Sequence, residues 1–321
     1  MSKKKSQRRQ LIRRSRKKSP LVHENESRLL LDQFTELDLL AWKALGKKAE
    51  SFAYDFFYAL ESQRAQHHDE LCISLQKAGS VSYHLDNWVR IVDHKFTLEP
   101  LSWFGSLKWV GGRFNYGEAI DSHRFEPFPA LYLASDTETA YREKFVLKAD
   151  ESSSGLSTKD LTFQKENSYT IFSLKGKLHN LFDLTKTKNL VPFVKIIQNF
   201  DLDKKFAEVA KELKIKPPRL LTTPEALLKS FLDENWRHMP VQNNVPSNPQ
   251  IFGKLLFKAG FEGVLYQSTK NHRGRCIAVF PSNLSQDSKI QLQGEVHKDV
   301  RLRTLDSESY KERVFSETPL T

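Results

Sequence analysis

The spacing of apolar residues predicts helices in the N-terminal part of the chain. Between residues 27 and 79 the apolar positions recur at helical intervals, and Gly46 is placed to end the first helix. The positions of that first helix are Leu30, Phe34, Leu37 and Ala41. Further helical patterns follow up to Gly79, so we expect an extension of about three helices.

After Gly79 the pattern changes to short apolar runs that are typical of strands, separated by amphipathic segments. The predicted strands are Trp88–Val92, Ala130–Ala134, Tyr169–Leu174, Val264–Tyr266 and Cys276–Phe280, and the third is expected to end near Gly176. Helices are predicted at 200–213, after Thr223-Pro224 and after Asn248-Pro249. The remainder of the chain therefore mixes strands with helices.

The strand at Ala130–Ala134 is followed by a helix that places an acidic residue on its inner face. Ser135 and Glu138 have the spacing of a capping box, which begins a helix. On that helix Ala140, Glu143 and Leu147 are spaced i, i+3, i+7, so Glu143 is expected to face inward. A carboxylate in such a position needs a partner.

Two arginines stand beside features that place a side chain accurately. Gly111-Gly112 permits a tight turn or a close approach to a ligand, and Arg113 follows directly. With Glu143, Arg113 forms either a functional pair or a buried structural ion pair, and the local pattern leaves both open. Arg90 shares a strand face with Trp88, so it either meets an anionic partner or lies at a strand end in water.

The formal charge of +11 is concentrated at the N-terminus. Residues 1–20 contain ten Lys and Arg and no acidic residue, which leaves +1 for residues 21–321. We interpret residues 1–20 as a disordered basic arm that is either a weak contact for a polyanion or a solvated tail. The charge alone therefore does not predict a nucleic-acid-binding fold.

Several function classes lack their signatures. The two cysteines, Cys72 and Cys276, have neither a disulfide framework nor a zinc spacing, and the adjacent His67 and His68 do not share a helix face. There is no apolar signal region and no run long enough to span a bilayer, so a cytoplasmic protein without a membrane or metal association is expected. Common phosphate-loop, nucleophile-elbow, zinc-protease and dinucleotide motifs are also missing.

Three segments together resemble the RES domain family. They are G-G-R-F-N at 111–115, L-Y-L-A-S-D-T-E-T-A-Y-R-E at 131–143 and G-V-L-Y-Q-S at 263–268. The resemblance covers about residues 80–285. It divides the chain into the basic arm (1–20), a helical extension (21–79), a RES-like domain (80–285) and a polar C-terminal tail (286–321).

The resemblance implies an α+β fold similar to that of ADP-ribosyltransferases, with a split, mixed β-sheet, flanking helices and the N-terminal helical extension. It also implies a toxin that degrades NAD by hydrolysis or phosphorolysis of the nicotinamide–ribose bond. NAD is then the substrate and phosphate a candidate co-substrate, with no further cofactor. The implied protein partner is a helix-turn-helix antitoxin of the Xre type.

The candidate residues suit this chemistry. Arginines bind phosphate oxygens, with Arg113 the first candidate and Arg90 the second. Loss of nicotinamide creates positive charge on the ribose, and Glu143 is the candidate carboxylate that stabilises it.

Three further residues complete the expected NAD site. Tyr132 is expected to stack on a ring or to donate its hydroxyl, and Asn115 to bind a ribose or phosphate oxygen. Ser268 is expected to act through hydrogen bonds rather than as a nucleophile, because no base accompanies it. Two other functions remain open: ADP-ribosyl transfer to a macromolecule, and a non-enzymatic nucleic-acid-associated module that uses residues 1–20.

Overall fold

The computed structural model describes residues 36–147 and 168–317, and it separates two compact units, residues 1–49 and 50–321. The basic arm and the first predicted helical positions, Leu30 and Phe34, lie outside the described residues. In the first unit the described residues form the beginning of helix α1 (Glu36–Gln66).

The described part of the N-terminal extension contains two helices, α1 and α2 (His68–Lys77). The expected helix end at Gly46 is wrong, because α1 continues through this position. A glycine inside a helix costs only about 1 kcal/mol relative to alanine. The lysines, alanine and glutamate that follow it favour the helix and offset this cost.

Strands and helices alternate irregularly after α2. The strands are β1 (Ser80–Asp93), β2 (Leu131–Ala134), β3 (Tyr169–Asp183), β4 (Gly263–Gln267), β5 (Arg275–Val279), β6 (Lys289–Leu292) and β7 (Thr304–Leu305). The helices are α3 (Thr137–Phe145), α4 (Val191–Ile197), α5 (Lys205–Glu212), α6 (Pro224–Phe231), α7 (His238–Asn243), α8 (Asn248–Lys258) and α9 (Ser307–Glu317). All five predicted strands are confirmed as elements, whereas α4, α7, α9, β6 and β7 were not predicted.

The seven strands form one mixed sheet in the order β1-β2-β5-β4-β3-β6-β7. Strand β1 also pairs with β3, so hydrogen bonding closes a ring of five strands from β1 through β2, β5, β4 and β3. The β3–β4 pair is parallel, and the other pairs are antiparallel. Between β1 and β2 the pairing consists of Val89 opposite Ala134.

Strand β3 extends well beyond Gly176, near which it was expected to end. The residue has a φ of 156°, and a Cβ there would lie 2.0 Å from the carbonyl oxygen of Lys289 on β6. Glycine thus lets β6 approach closely, and the strand continues to Asp183. Gly176 is therefore a position of close packing between β3 and β6 and not the end of the strand.

Successive residues of the central strands enter two different apolar clusters. Leu133 and Ile277 belong to one cluster, whereas Ala134 and Cys276 belong to the other, as the alternation of a β-strand requires. The second cluster also contains Leu71 of α2, which is fully buried. The predicted boundary at residue 79 therefore does not separate two hydrophobic cores.

The C-terminal residues also enter the sheet, so the prediction of a peripheral polar tail at 286–321 is wrong for β6 and β7. Ile290 and Leu305 are paired across these strands and are fully buried. Their isolated apolar residues carry little periodic signal, and the strands are defined by their sheet partners, β3 for β6 and β6 for β7. The α+β class, with a mixed sheet, flanking helices and N-terminal helices, is confirmed. No helix in the described ranges has the length and apolarity needed to cross a membrane.

Candidate functional site

A cavity of about 280 Å³ opens beside Val89 and Ala134, the residue pair that joins β1 to β2. Its volume is close to the lower limit of small-molecule sites, roughly 300 Å³. Five elements, β1, β2, α3, β4 and β5, and the loops between elements contribute to its wall. The residues that line it are Val89, Arg90, Ile91, Gly112, Arg113, Tyr132, Leu133, Ala134, Ala140, Glu143, Lys144, Val146, Glu234, Trp236, Arg237, Tyr266, Lys270 and Cys276. Arg90, Arg113, Tyr132 and Glu143 are thus brought together as predicted.

Helix α3 directs Glu143 into this cavity. The helix begins one residue later than expected, because Asp136 rather than Ser135 is the N-cap and accepts from the backbone N–H of Thr139. The Ser135 hydroxyl donates to Asp136 instead, so the predicted capping box with Glu138 does not form. The inward position of Glu143 is unaffected, since it depends on helical spacing.

The carboxylate of Glu143 is held on one side. Its Oε1 accepts from the Ser268 hydroxyl at 2.5 Å and from the Thr269 backbone N–H at 3.2 Å. Within the part of the chain that the structure describes, Oε2 has no hydrogen-bond partner. One oxygen is therefore fixed while the other is available to a ligand in the cavity.

Ser268 lies behind this carboxylate rather than in the cavity wall. It is only 2% exposed, and its hydroxyl also accepts from the backbone N–H groups of Lys270 and Asn271. The assignment of Ser268 as a direct substrate contact does not match this position. The hydrogen bond from Ser268 to Glu143 agrees with the expectation that Ser268 acts through hydrogen bonds.

Arg113 is buried, and backbone carbonyls occupy much of its guanidinium. Its Nη1 donates to the carbonyl oxygens of Phe231 at 3.0 Å and Asp233 at 2.7 Å, and Nη2 donates to Thr269 at 3.3 Å. Across the described residues no ion pair joins Arg113 to Glu143. The alternative of a structural ion pair is therefore wrong.

Arg90 meets neither of the two expected environments. Its Nη1 and Nη2 donate to the carbonyl oxygens of Tyr132 and Ser102, each at 3.0 Å. Its Nε is buried and has no hydrogen-bond partner in the described part of the protein. Burial lowers the pKa of Arg90 to about 10, since the charged form is poorly solvated there.

Tyr132, which lines the cavity, is hydrogen-bonded to Asn115, which is fully buried behind it. The Tyr132 hydroxyl donates to Asn115 Oδ1 at 2.8 Å and accepts from the Phe114 N–H at 3.0 Å. Burial raises the pKa of Tyr132 well above its usual value. Asn115 is fully buried and does not line the cavity, so the assignment of Asn115 as a ligand contact is corrected to a supporting position.

The glycine turn before Arg113 packs against the protein itself. Gly111 has a φ of 82°, and a Cβ on Gly112 would lie 2.5 Å from the Tyr132 ring. The fully buried Gln250 of α8 holds the turn, because its amide donates to three carbonyl oxygens. These belong to Val110, Gly112 and Asn115. Nothing in the local pattern marks Gln250, which is about 140 residues away in sequence.

Sequence reasoning missed several cavity residues, above all in the segment 232–237 that follows α6. Trp236 is close to two guanidinium groups, with the ring centroid 5.8 Å from Arg113 Cζ and 4.8 Å from Arg237 Cζ. The adjacent aromatic and basic residues were the available signal. Burial, and then the charge of Glu143, raise the pKa of the Cys276 thiol, which favours its neutral form.

Five cationic and two acidic side chains line the cavity. This excess of positive charge, next to one carboxylate with an available oxygen, suits a polar ligand that carries an anionic group. No cluster of three His, Cys, Asp or Glu residues in the described ranges is arranged to hold a metal. The cavity on this α+β scaffold is therefore the candidate site for a small polar ligand.

The chain belongs to the RES domain family, whose sequence profile matches residues 87–299. The resemblance is confirmed, and the match extends past residue 285. A chain in the crystal structure of the M. tuberculosis MbcT–MbcA toxin–antitoxin complex is similar, with a TM-score of 0.41 and 16% identity. That similarity covers 76% of this chain and 96% of the other. No curated protein sequence matches the chain.

Proposed function

We propose that this RES family member consumes NAD by breaking its nicotinamide–ribose bond. One observation carries the proposal. Glu143 is held through Oε1 by Ser268 and Thr269, while its carboxylate faces a cavity rich in cationic side chains. Family membership supports NAD as the substrate. The excess of cations suits its diphosphate.

The proposed reaction begins with cleavage of the bond between the ribose anomeric carbon and the nicotinamide nitrogen. The bonding electrons leave with nicotinamide, which becomes neutral, and positive charge develops on the ribose. A carboxylate positioned in advance stabilises that charge more than it stabilises the bound substrate, which lowers the barrier. An oxygen of water or phosphate then bonds to the anomeric carbon and loses its proton.

Release of nicotinamide from NAD by the purified protein tests the proposal. Replacing Glu143 with Gln should reduce turnover by about 100-fold or more, as loss of one preorganised charge-stabilising group commonly does. Glu138→Gln is the matched control, because Glu138 is on the same helix but outside the cavity wall. A folded wild-type protein that leaves NAD intact, with or without phosphate, contradicts the proposal.

The reaction products identify the acceptor. Water yields ADP-ribose, whereas inorganic phosphate yields its phosphorylated counterpart, and mass spectrometry separates the two. We propose that water and inorganic phosphate are compared as acceptors. Adenine label that precipitates with protein or nucleic acid would instead indicate ADP-ribosyl transfer to a macromolecule.

Two features of the proposed biology have separate tests. As a toxin, the protein should deplete NAD and stop growth when it is expressed in a bacterial host, and a helix-turn-helix antitoxin should prevent this. Deleting residues 1–20 should leave NAD turnover intact if the basic arm acts only as a polyanion contact. Loss of turnover on that deletion would assign the arm a part in the reaction.

A further inference from the structure

The five cations that line the cavity differ in how their charge is satisfied. Lys144 Nζ lies 2.6 Å from the Asp93 carboxylate, and Lys270 Nζ lies 3.3 Å from Glu234. Each lysine therefore already has a carboxylate partner. Neither is the strongest candidate to hold an anionic ligand.

Backbone carbonyls occupy the two arginines that the sequence singled out. Both terminal nitrogens of Arg90 donate to carbonyl oxygens. Arg113 donates from Nη1 to Phe231 and Asp233, which are the last residue of α6 and a residue of the segment 232–237. Because a guanidinium has five N–H donors in a fixed fork, these bonds restrict how either arginine can approach a phosphate.

Arg237 differs from the other four cations. It is exposed at the cavity, and among the described residues its guanidinium has no hydrogen bond and no ion pair. Its Cζ lies 4.8 Å from the Trp236 ring centroid, and this contact orients the side chain. Partial desolvation, followed by the charge of Arg113, lowers the pKa of Arg237. An anion between the two arginines would relieve their repulsion.

We propose that Arg237 makes the direct contact with the substrate diphosphate and that Arg113 is a positioning residue. Arg113 fixes the carbonyls of Phe231 and Asp233, and thereby holds the segment that presents Trp236 and Arg237 to the cavity. The unoccupied fork of Arg237 binds two phosphate oxygens at once. This inference rests on the proposed function, and it adds a specificity-determining residue to the site.

Substrates with different phosphate content test the inference. Arg237→Gln should lower kcat/KM for NAD by roughly 10- to 100-fold, because hydrogen bonds to a charged group are lost. Cleavage of nicotinamide riboside, which has no phosphate, should not change. Arg237→Lys should recover part of the loss, since lysine keeps the charge but not the bidentate fork.

Arg275→Gln is the matched control. Arg275 is also exposed and lies over an aromatic ring, 5.7 Å from the Tyr83 centroid, but it does not line the cavity. This variant should cleave NAD as the wild type does. Unchanged NAD cleavage by Arg237→Gln would overturn the inference, and so would an equal loss with nicotinamide riboside.

A binding measurement separates failure of the inference from failure of the proposed function. If the wild type releases no nicotinamide from any substrate, NAD cleavage is wrong. Titration calorimetry with ADP-ribose then decides the inference separately. Weaker binding by Arg237→Gln but not by Arg275→Gln supports it, whereas equal binding by all three proteins, or none by the wild type, overturns it.

Discussion

Removing the Ser268 hydroxyl should impair turnover through Glu143. The hydroxyl donates to Glu143 Oε1 at 2.5 Å, and Ser268 is only 2% exposed, so water does not readily replace it. A hydrogen bond to a charged group contributes about 1.5–3 kcal/mol. If this hydrogen bond holds the Glu143 carboxylate in its reactive position, Ser268→Ala should lower kcat by roughly 10- to 150-fold. Initial rates of nicotinamide release measure the loss.

The chain offers a closely matched control for this substitution. Ser288 is also buried and donates to a buried carboxylate, Glu262 Oε1, at 2.7 Å, but it lies outside the cavity wall. Ser288→Ala should lower the free energy of unfolding by a similar amount and leave kcat unchanged. Urea denaturation and rates are measured for both variants. The reasoning is refuted if Ser268→Ala keeps the wild-type kcat, or if both variants lose activity in proportion to stability.

Two further substitutions test other parts of the structure. Tyr132→Phe keeps the ring in the cavity wall but leaves the Phe114 N–H without its acceptor, so the free energy of unfolding should fall by about 1–3 kcal/mol with little change in kcat. A large loss of kcat in a stable variant would instead make the hydroxyl a substrate contact. Burial raises the pKa of Glu262, but hydrogen bonds from Ser288, Ser285 and His179 outweigh it and hold the pKa below the usual 4.5. The unfolded state then binds more protons near and below pH 4.5, so this stabilisation is present at higher pH and lost as pH falls through the folded pKa. Glu262→Gln should therefore destabilise the protein more at pH 7 than at pH 4, and an equal effect in denaturation at both values would contradict this.

The local sequence pattern correctly predicted the features that depend on neighbouring residues in the chain. The Ala130–Ala134 strand follows from its short apolar run, and the inward position of Glu143 follows from the helical period of 3.6 residues. The start of α6 follows from Thr223 and Pro224, and the structure confirms Thr223 as the N-cap. Each of these features depends on residues within a few positions in the chain.

Predictions failed where a distant contact overrides the local signal. Gly176 resembled a strand end, but it is the place where β6 approaches β3. Residues 286–305 resembled a tail, because β6 and β7 are short and take their structure from pairing, β6 with β3 and β7 with β6. Isolated apolar residues such as Ile290 do not reveal which strand will cover them.

The sequence by itself determined the RES family segments and the types of side chain available to the site. It also placed Glu143 on the inner face of a helix. Only the tertiary structure decided which donors are occupied, because the partners are remote: Ser268 is 125 residues from Glu143, and Phe231 is 118 residues from Arg113. Burial likewise assigned Asn115 to the support of Tyr132 and left Arg237 exposed. The sequence determines which side chains are present, whereas the tertiary structure decides which of their hydrogen-bond donors already have a partner.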